Sequence, residues 1–179
     1  TGTLGKKLTI VFNGEIYNYI ELRDELKKKG YHFSTNSDTE VILALYDYYN
    51  EDCMQYLDGM FAFAIWDENE KRLFCARDRF GIKPFYYTKT QEQFAFASEM
   101  KALLPLVSSI ETNTEALSEY LTFQYTLGAE TLFKNIYQLM PGHFLIYQNG
   151  DLRIKKNWDV SYQIDFSHSP KYFEENYTK

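Results

Sequence analysis

The residues best able to do chemistry form one short block, Asn13-Gly14-Glu15-Ile16-Tyr17-Asn18. It follows the β-prone run Leu8-Thr9-Ile10-Val11-Phe12 and precedes a helical pattern. Taken alone, Asn-Gly after a strand is first of all a turn signal. The chemical alternative is an oxyanion hole, in which the Asn13 side-chain amide and the Gly14 backbone N–H point at one oxygen. Glycine lets the backbone approach a substrate closely. Two donors aimed in this way stabilise the tetrahedral intermediate of amide hydrolysis, each contributing roughly 3–4 kcal/mol. A second block, Thr35-Asn36-Ser37-Asp38-Thr39-Glu40, has two readings as well. Asp38 reads as a helix cap accepting backbone N–H bonds, or as a partner for a substrate ammonium group. Both hold if different oxygens serve each role.

These residues need elements to hold them. Tyr19, Leu22 and Leu26 recur at helical spacing, predicting a helix from about Asn18 to Lys29 that stops at Gly30. Val41, Leu45 and Tyr48 share one face of a second helix, from Asp38 to Tyr49. A short helix around Cys53–Leu57 leads to Gly59. Strands dominate afterwards: Met60–Trp66 is a nearly continuous apolar run of sheet-core type, followed by Arg72–Arg77, Phe85–Tyr87 and Phe94–Ala97. Glu99–Leu104 reads as a short helix ended by Pro105, and Thr114–Phe123 as a helix capped by Thr114. His143–Tyr147 and Leu152–Ile154 flank Asn149-Gly150, the strongest hairpin signal in the chain. From Ser161 onwards there is no clear periodicity, as in an interdomain linker.

Composition narrows the class. The 179 residues suffice for one domain with its own core. The 16 Tyr and 14 Phe suit half-buried sheet surfaces, so much β-structure is expected. A net charge of -6 argues against nucleic-acid binding. No apolar run approaches the roughly 20 residues that span a bilayer, so no membrane partner is expected. Cys53 and Cys75 are spaced neither as metal ligands nor as a disulfide framework, which makes a reduced cytoplasmic compartment the default. His32, His143 and His168 have no Cys, Asp or His nearby at ligand spacing, and no metal site is expected.

Several blocks together resemble a known family. After Asn13–Asn18 come Ser37-Asp38-Thr39-Glu40-Val41-Ile42 and Leu57-Asp58-Gly59-Met60-Phe61-Ala62-Phe63-Ala64. Then come Ala76–Tyr87, which includes Arg77-Asp78-Arg79-Phe80-Gly81-Ile82-Lys83-Pro84, and Ala97–Leu103, with Pro141-Gly142-His143 last. In this order the blocks resemble the class II glutamine amidotransferase domain of glutamine-hydrolysing asparagine synthetases. The resemblance implies an α+β, Ntn-hydrolase-type αββα sandwich: two stacked antiparallel sheets between helical layers. It implies Asn13 and Gly14 as the oxyanion hole, and Glu15 and Asp38 around the amino-acid end of glutamine. A free α-amino group should meet carboxylates, which supports that assignment independently. Arg77-Asp78-Arg79 reads as structural, with Asp78 tying a tight turn.

The family's nucleophile is an N-terminal cysteine whose own α-amino group is the base. It precedes the Asn-Gly motif by some dozens of residues, whereas twelve residues precede Asn13 here. The reading therefore expects residues 1–160 to be a partial amidotransferase domain lacking its first strand and nucleophile, inactive in isolation. Thr1 is rejected as a substitute, since it would begin the wrong strand. Two arrangements would cover the open sheet edge: a homodimer, or residues preceding Thr1. Residues 161–179 read as a linker towards a C-terminal synthetase domain. No Gly-rich pyrophosphate loop occurs here, so ATP and Mg are expected in that domain and no cofactor in this chain. The resemblance implies a parent that hydrolyses glutamine and passes the ammonia to an ATP-activated carboxylate, most simply aspartate. Two rivals stay open: the same fold serving another acceptor, such as a sugar precursor for a surface polysaccharide, and a non-catalytic scaffold.

Overall fold

The computed structural model describes residues 6–162 and 166–177. In chain order its elements are β1 (Leu8–Ile16), α1 (Tyr19–Lys28), α2 (Asp38–Tyr49), β2 (Gly59–Asp67), β3 (Arg72–Arg77), β4 (Tyr86–Lys89) and β5 (Phe94–Ala97). They continue with α3 (Thr114–Phe123), β6 (Tyr137–Gln138), β7 (His143–Gln148), β8 (Asp151–Lys156) and α4 (Pro170–Tyr177). One sheet has the order β1-β2-β3-β7-β8 and the other β5-β4-β6, and every pairing is antiparallel.

Strand alternation sets the layers. Leu8, Ile10, Phe12 and Ile16 of β1 point to one side, where they join Leu22 and Leu26 of α1 and Val41, Ile42 and Leu45 of α2 in the larger core cluster. The neighbouring strand is buried on both faces. Phe61, Phe63 and Ile65 of β2 face the helices. Ala62 and Ala64 face the second sheet, where Phe85, Tyr87 and Leu145 fill the space between the sheets. Burial on both sides is why β2 reads as a continuous apolar run rather than an alternating one. On the far side of the second sheet, Tyr86 and Gln138 share a cavity of about 500 Å³ with Tyr120 of α3 and Gln124, which follows α3.

Most of the expected elements form within a residue or two of their predicted bounds. At the β7–β8 turn, Asn149 and Gly150 both have positive φ (52° and 83°), as a tight two-residue hairpin turn requires. Other expectations need correction. Asn13-Gly14 is not a turn: β1 runs straight through it to Ile16. A long register with β2 overrides the local preference there. The helix expected at Glu99–Leu104 is two 3₁₀ turns, Met100–Ala102 and Leu104–Leu106, with Pro105 inside the second rather than ending the first. The turn near Cys53 is also 3₁₀ and spans Asn50–Gln55. The caps of α2 and α3 are Ser37 and Asn113, each one residue before the expected one. The tail contains α4, whose residues are all exposed, so no buried apolar face marks it in the sequence.

Candidate active site

The site is built where β1 ends against the start of α2. Gly14 has φ +152°, and a Cβ placed on it would lie 2.1 Å from the Met60 carbonyl oxygen and 2.7 Å from the Phe61 Cα. Opposite it, a Cβ on Gly59 would lie 2.2 Å from the Glu15 carbonyl oxygen. Here β1 and β2 approach so closely that neither position admits a side chain. The Asn18 side chain secures the turn that follows: its Oδ1 accepts from Asp58 N at 3.1 Å and its Nδ2 donates to the Tyr56 carbonyl at 2.9 Å.

Asp38 is drawn to the same place from 22 residues along the chain. Its Oδ2 accepts the Ile16 backbone N–H at 3.1 Å, and its Oδ1 accepts from Thr39 N at 2.7 Å. Ser37 caps α2, its hydroxyl accepting from Thr39 N at 3.1 Å. Asp38 therefore does accept backbone bonds, but one of them fastens a helix start to a strand end.

The β1 geometry also fixes where donors point. Among the described residues β1 pairs only with β2, so its other edge is open. N–H groups two residues apart point the same way along a strand. Ile16 turns its N–H outward to Asp38, so the Gly14 N–H is directed to the same open edge. Asn13 and Glu15 share the face opposite Phe12 and Ile16, and both are exposed. Asn13 lines a cavity of about 170 Å³ with Val11, Ala62, Phe85, Phe96 and Ser98. The structure thus gathers Asn13, Gly14, Glu15 and Asp38 around one end of one strand. The lining from β5 was not legible in the sequence, because it comes from the other sheet.

Other conspicuous groups serve the framework. The Asp78 carboxylate accepts backbone N–H bonds from Phe61, Phe80, Ile82 and Lys83 at 3.0–3.2 Å. The buried Arg77 guanidinium donates to the carbonyls of Lys83, Leu139 and Gly81 at 2.7–2.8 Å. Together they knot the 78–83 loop to the start of β2 and the entry to β7, as the structural reading expects. Cys53 and Cys75 are both fully buried free thiols, and burial raises the pKa of each. Neither carries a reactive thiolate. His143 pairs its Nδ1 with the Pro141 carbonyl at 2.8 Å.

Comparison with known proteins agrees with this architecture. A family model described as a glutamine amidotransferase domain matches residues 3–158, and the chain belongs to that family. It is 48% identical over 155 residues to asparagine synthetase [glutamine-hydrolyzing] 1 of Bacillus subtilis (strain 168), covering 86% of this chain and 24% of the relative. It is 43% identical over 159 residues to asparagine synthetase [glutamine-hydrolyzing] 3 of the same organism, covering 87% of this chain and 26% of the relative. The chain thus spans about a quarter of the length of these relatives. Among solved structures, glutamine phosphoribosylpyrophosphate amidotransferase from B. subtilis matches with TM-score 0.61 at 21% identity, covering 87% of this chain and 30% of that one. That likeness shows the fold, an Ntn-hydrolase-type arrangement of two antiparallel sheets with helices outside them.

Proposed function

We propose that this chain forms the glutamine-hydrolysing part of an asparagine-synthetase-like enzyme. Glutamine binds at the open end of β1. Its α-ammonium group meets the carboxylates of Asp38 and Glu15. The Asn13 side-chain amide and the Gly14 N–H receive the oxyanion that forms when the side-chain amide is attacked. The attacking group is neither Cys53 nor Cys75, since both thiols are sealed in the core. We assign it to an N-terminal cysteine of the parent protein, as the family resemblance implies. The ammonia released passes to a C-terminal synthetase domain, where ATP and Mg activate the acceptor, most simply aspartate. Identity to relatives named asparagine synthetases supports that acceptor over a sugar precursor. The two free cysteines fit a reducing, cytoplasmic setting.

The observation that carries this reading is the hydrogen bond from Ile16 N to Asp38. It brings the candidate ammonium partner to the strand that bears the candidate oxyanion donors. The test is steady-state kinetics of the full-length parent with glutamine and with ammonium, side by side. Asn13→Ala should cripple the glutamine-driven reaction and spare the ammonium-driven one. Equal loss of both would mean that Asn13 holds the fold and does no chemistry.

A further inference from the structure

Glu40 is a second carboxylate in the same turn as Asp38, and the proposed function leaves it without a role. It is 6% exposed. Its Oε1 accepts from Ser34 N at 2.9 Å, and its Oε2 accepts from Thr35 N at 2.8 Å and from the Thr35 hydroxyl at 2.7 Å. All of these donors are neutral. Burial pushes the Glu40 pKa up, but these bonds outweigh it and hold the carboxyl below its ordinary range.

The pattern Ser37-x-x-Glu40 is that of a capping box, in which the glutamate would turn back to the N–H of the cap residue itself. That bond is not the one made. Glu40 reaches past the cap to Ser34 and Thr35, and the Ser37 N–H is taken by the Thr35 hydroxyl at 3.2 Å. The bonds therefore run in series from Glu40 through Thr35 to Ser37, and the next residue is Asp38. The Ser37 hydroxyl already caps α2. Glu40 is thus spare for capping, and its bonds serve to shape the loop. On the loop's other side, Arg23 of α1 donates to the Asn36 Oδ1 at 2.7 Å.

We propose that Glu40 is a positioning residue for glutamine binding: through Thr35 and Ser37 it sets the direction in which Asp38 leaves the loop, and so where its carboxylate meets the substrate ammonium. This rests on the reading of Asp38 given above. The contact of Asp38 with glutamine is made in the ground state and the transition state alike. Loosening its support therefore weakens binding without slowing the chemical step.

The test uses the full-length enzyme and four variants: Glu40→Gln, Thr35→Val, Asp38→Asn and the double variant Glu40→Gln/Asp38→Asn. Glu40→Gln should raise KM for glutamine by on the order of tenfold, the loss of about one charge-assisted hydrogen bond, while kcat barely changes. Thr35→Val removes only the relay hydroxyl and should raise KM by a smaller factor. In the Asp38→Asn background, Glu40→Gln should add nothing to KM, because a residue acting through Asp38 has nothing left to position. A lowered melting temperature with unchanged KM would overturn the proposal, leaving Glu40 as a loop brace. Multiplying effects in the double variant would also overturn it, since the two residues would then act independently. If Glu40→Gln does not fold, Thr35→Val and its double with Asp38→Asn decide by the same criteria. If Asp38→Asn itself leaves KM unchanged, the glutamine-binding reading falls first, a result distinct from failure of Glu40 alone.

Discussion

Three glycines separate the two penalties that act where β1 meets β2. Gly30, after α1, has φ +95° and open space where a Cβ would go. Gly30→Ala therefore adds only the cost of a left-handed backbone, roughly 1–2 kcal/mol. Gly59 is the reverse case. Its backbone suits an L-residue, but its Cβ would lie 2.2 Å from the Glu15 carbonyl oxygen. The strands would have to part by more than about 1 Å to relieve that contact, and such overpacking costs roughly 1–3 kcal/mol. Gly14 has both problems, a φ of +152° and a Cβ 2.1 Å from the Met60 carbonyl oxygen. Gly14→Ala should therefore cost roughly 2–5 kcal/mol. A domain of this size loses roughly 2–4 °C of melting temperature per kcal/mol. Calorimetry of the three alanine variants in the full-length protein should show Gly14→Ala lowering the domain's transition by roughly 4–20 °C and Gly30→Ala by roughly 2–8 °C. Glutamine turnover per folded molecule should persist in Gly30→Ala. It should fall in Gly14→Ala and Gly59→Ala, because parting the strands carries Ile16 away from Asp38. If Gly14→Ala melted no lower than Gly30→Ala and kept its glutamine turnover, the close approach of β1 and β2 would be wrong, and the donor geometry with it.

The remaining predictions concern single groups. Asn13→Ala should lower kcat for glutamine by roughly 10²–10³ with little change in KM, and Asp38→Asn should raise KM more than it lowers kcat; paired glutamine and ammonium kinetics check both. Glu40 has a lowered pKa in the folded state, so its contribution to stability is complete above the ordinary glutamate value of 4.5 and is lost as pH falls through the folded value. The stability gap between the wild type and Glu40→Gln, followed by urea unfolding, should therefore narrow below that pH; a constant gap down to strong acid would contradict the carboxylate bonding described. A polypeptide of only these 179 residues should release no ammonia from glutamine above the buffer rate, and a thiol reagent should label Cys53 and Cys75 only after unfolding. Turnover abolished by changing Thr1 would overturn the first of these claims, and fast labelling of the native protein the second.

Local pattern was enough for most of the elements. Tyr19, Leu22 and Leu26 predict α1, Val41 and Leu45 predict α2, and Asn149-Gly150 predicts the β7–β8 turn, because each signal lies within a turn or a few residues of chain. The family, too, was legible from the ordered blocks between Asn13 and His143. What lay beyond reach depends on atoms distant in sequence. Asn-Gly is a turn by its own preference, and only pairing with Ala62 and Phe61 makes it part of a strand. Ser37-x-x-Glu40 has the form of a closed capping box, yet the folded loop lets Glu40 find Ser34 and Thr35 instead. Asp38 could be named from sequence as a cap or as an ammonium partner. That its Oδ2 accepts the N–H of Ile16 was settled only when α1 and α2 packed on the inner face of β1. Short-range propensities are weak, of the order of 1 kcal/mol, and the burial of Ile16, Val41 and Phe61 in a common core outweighs them wherever the two disagree.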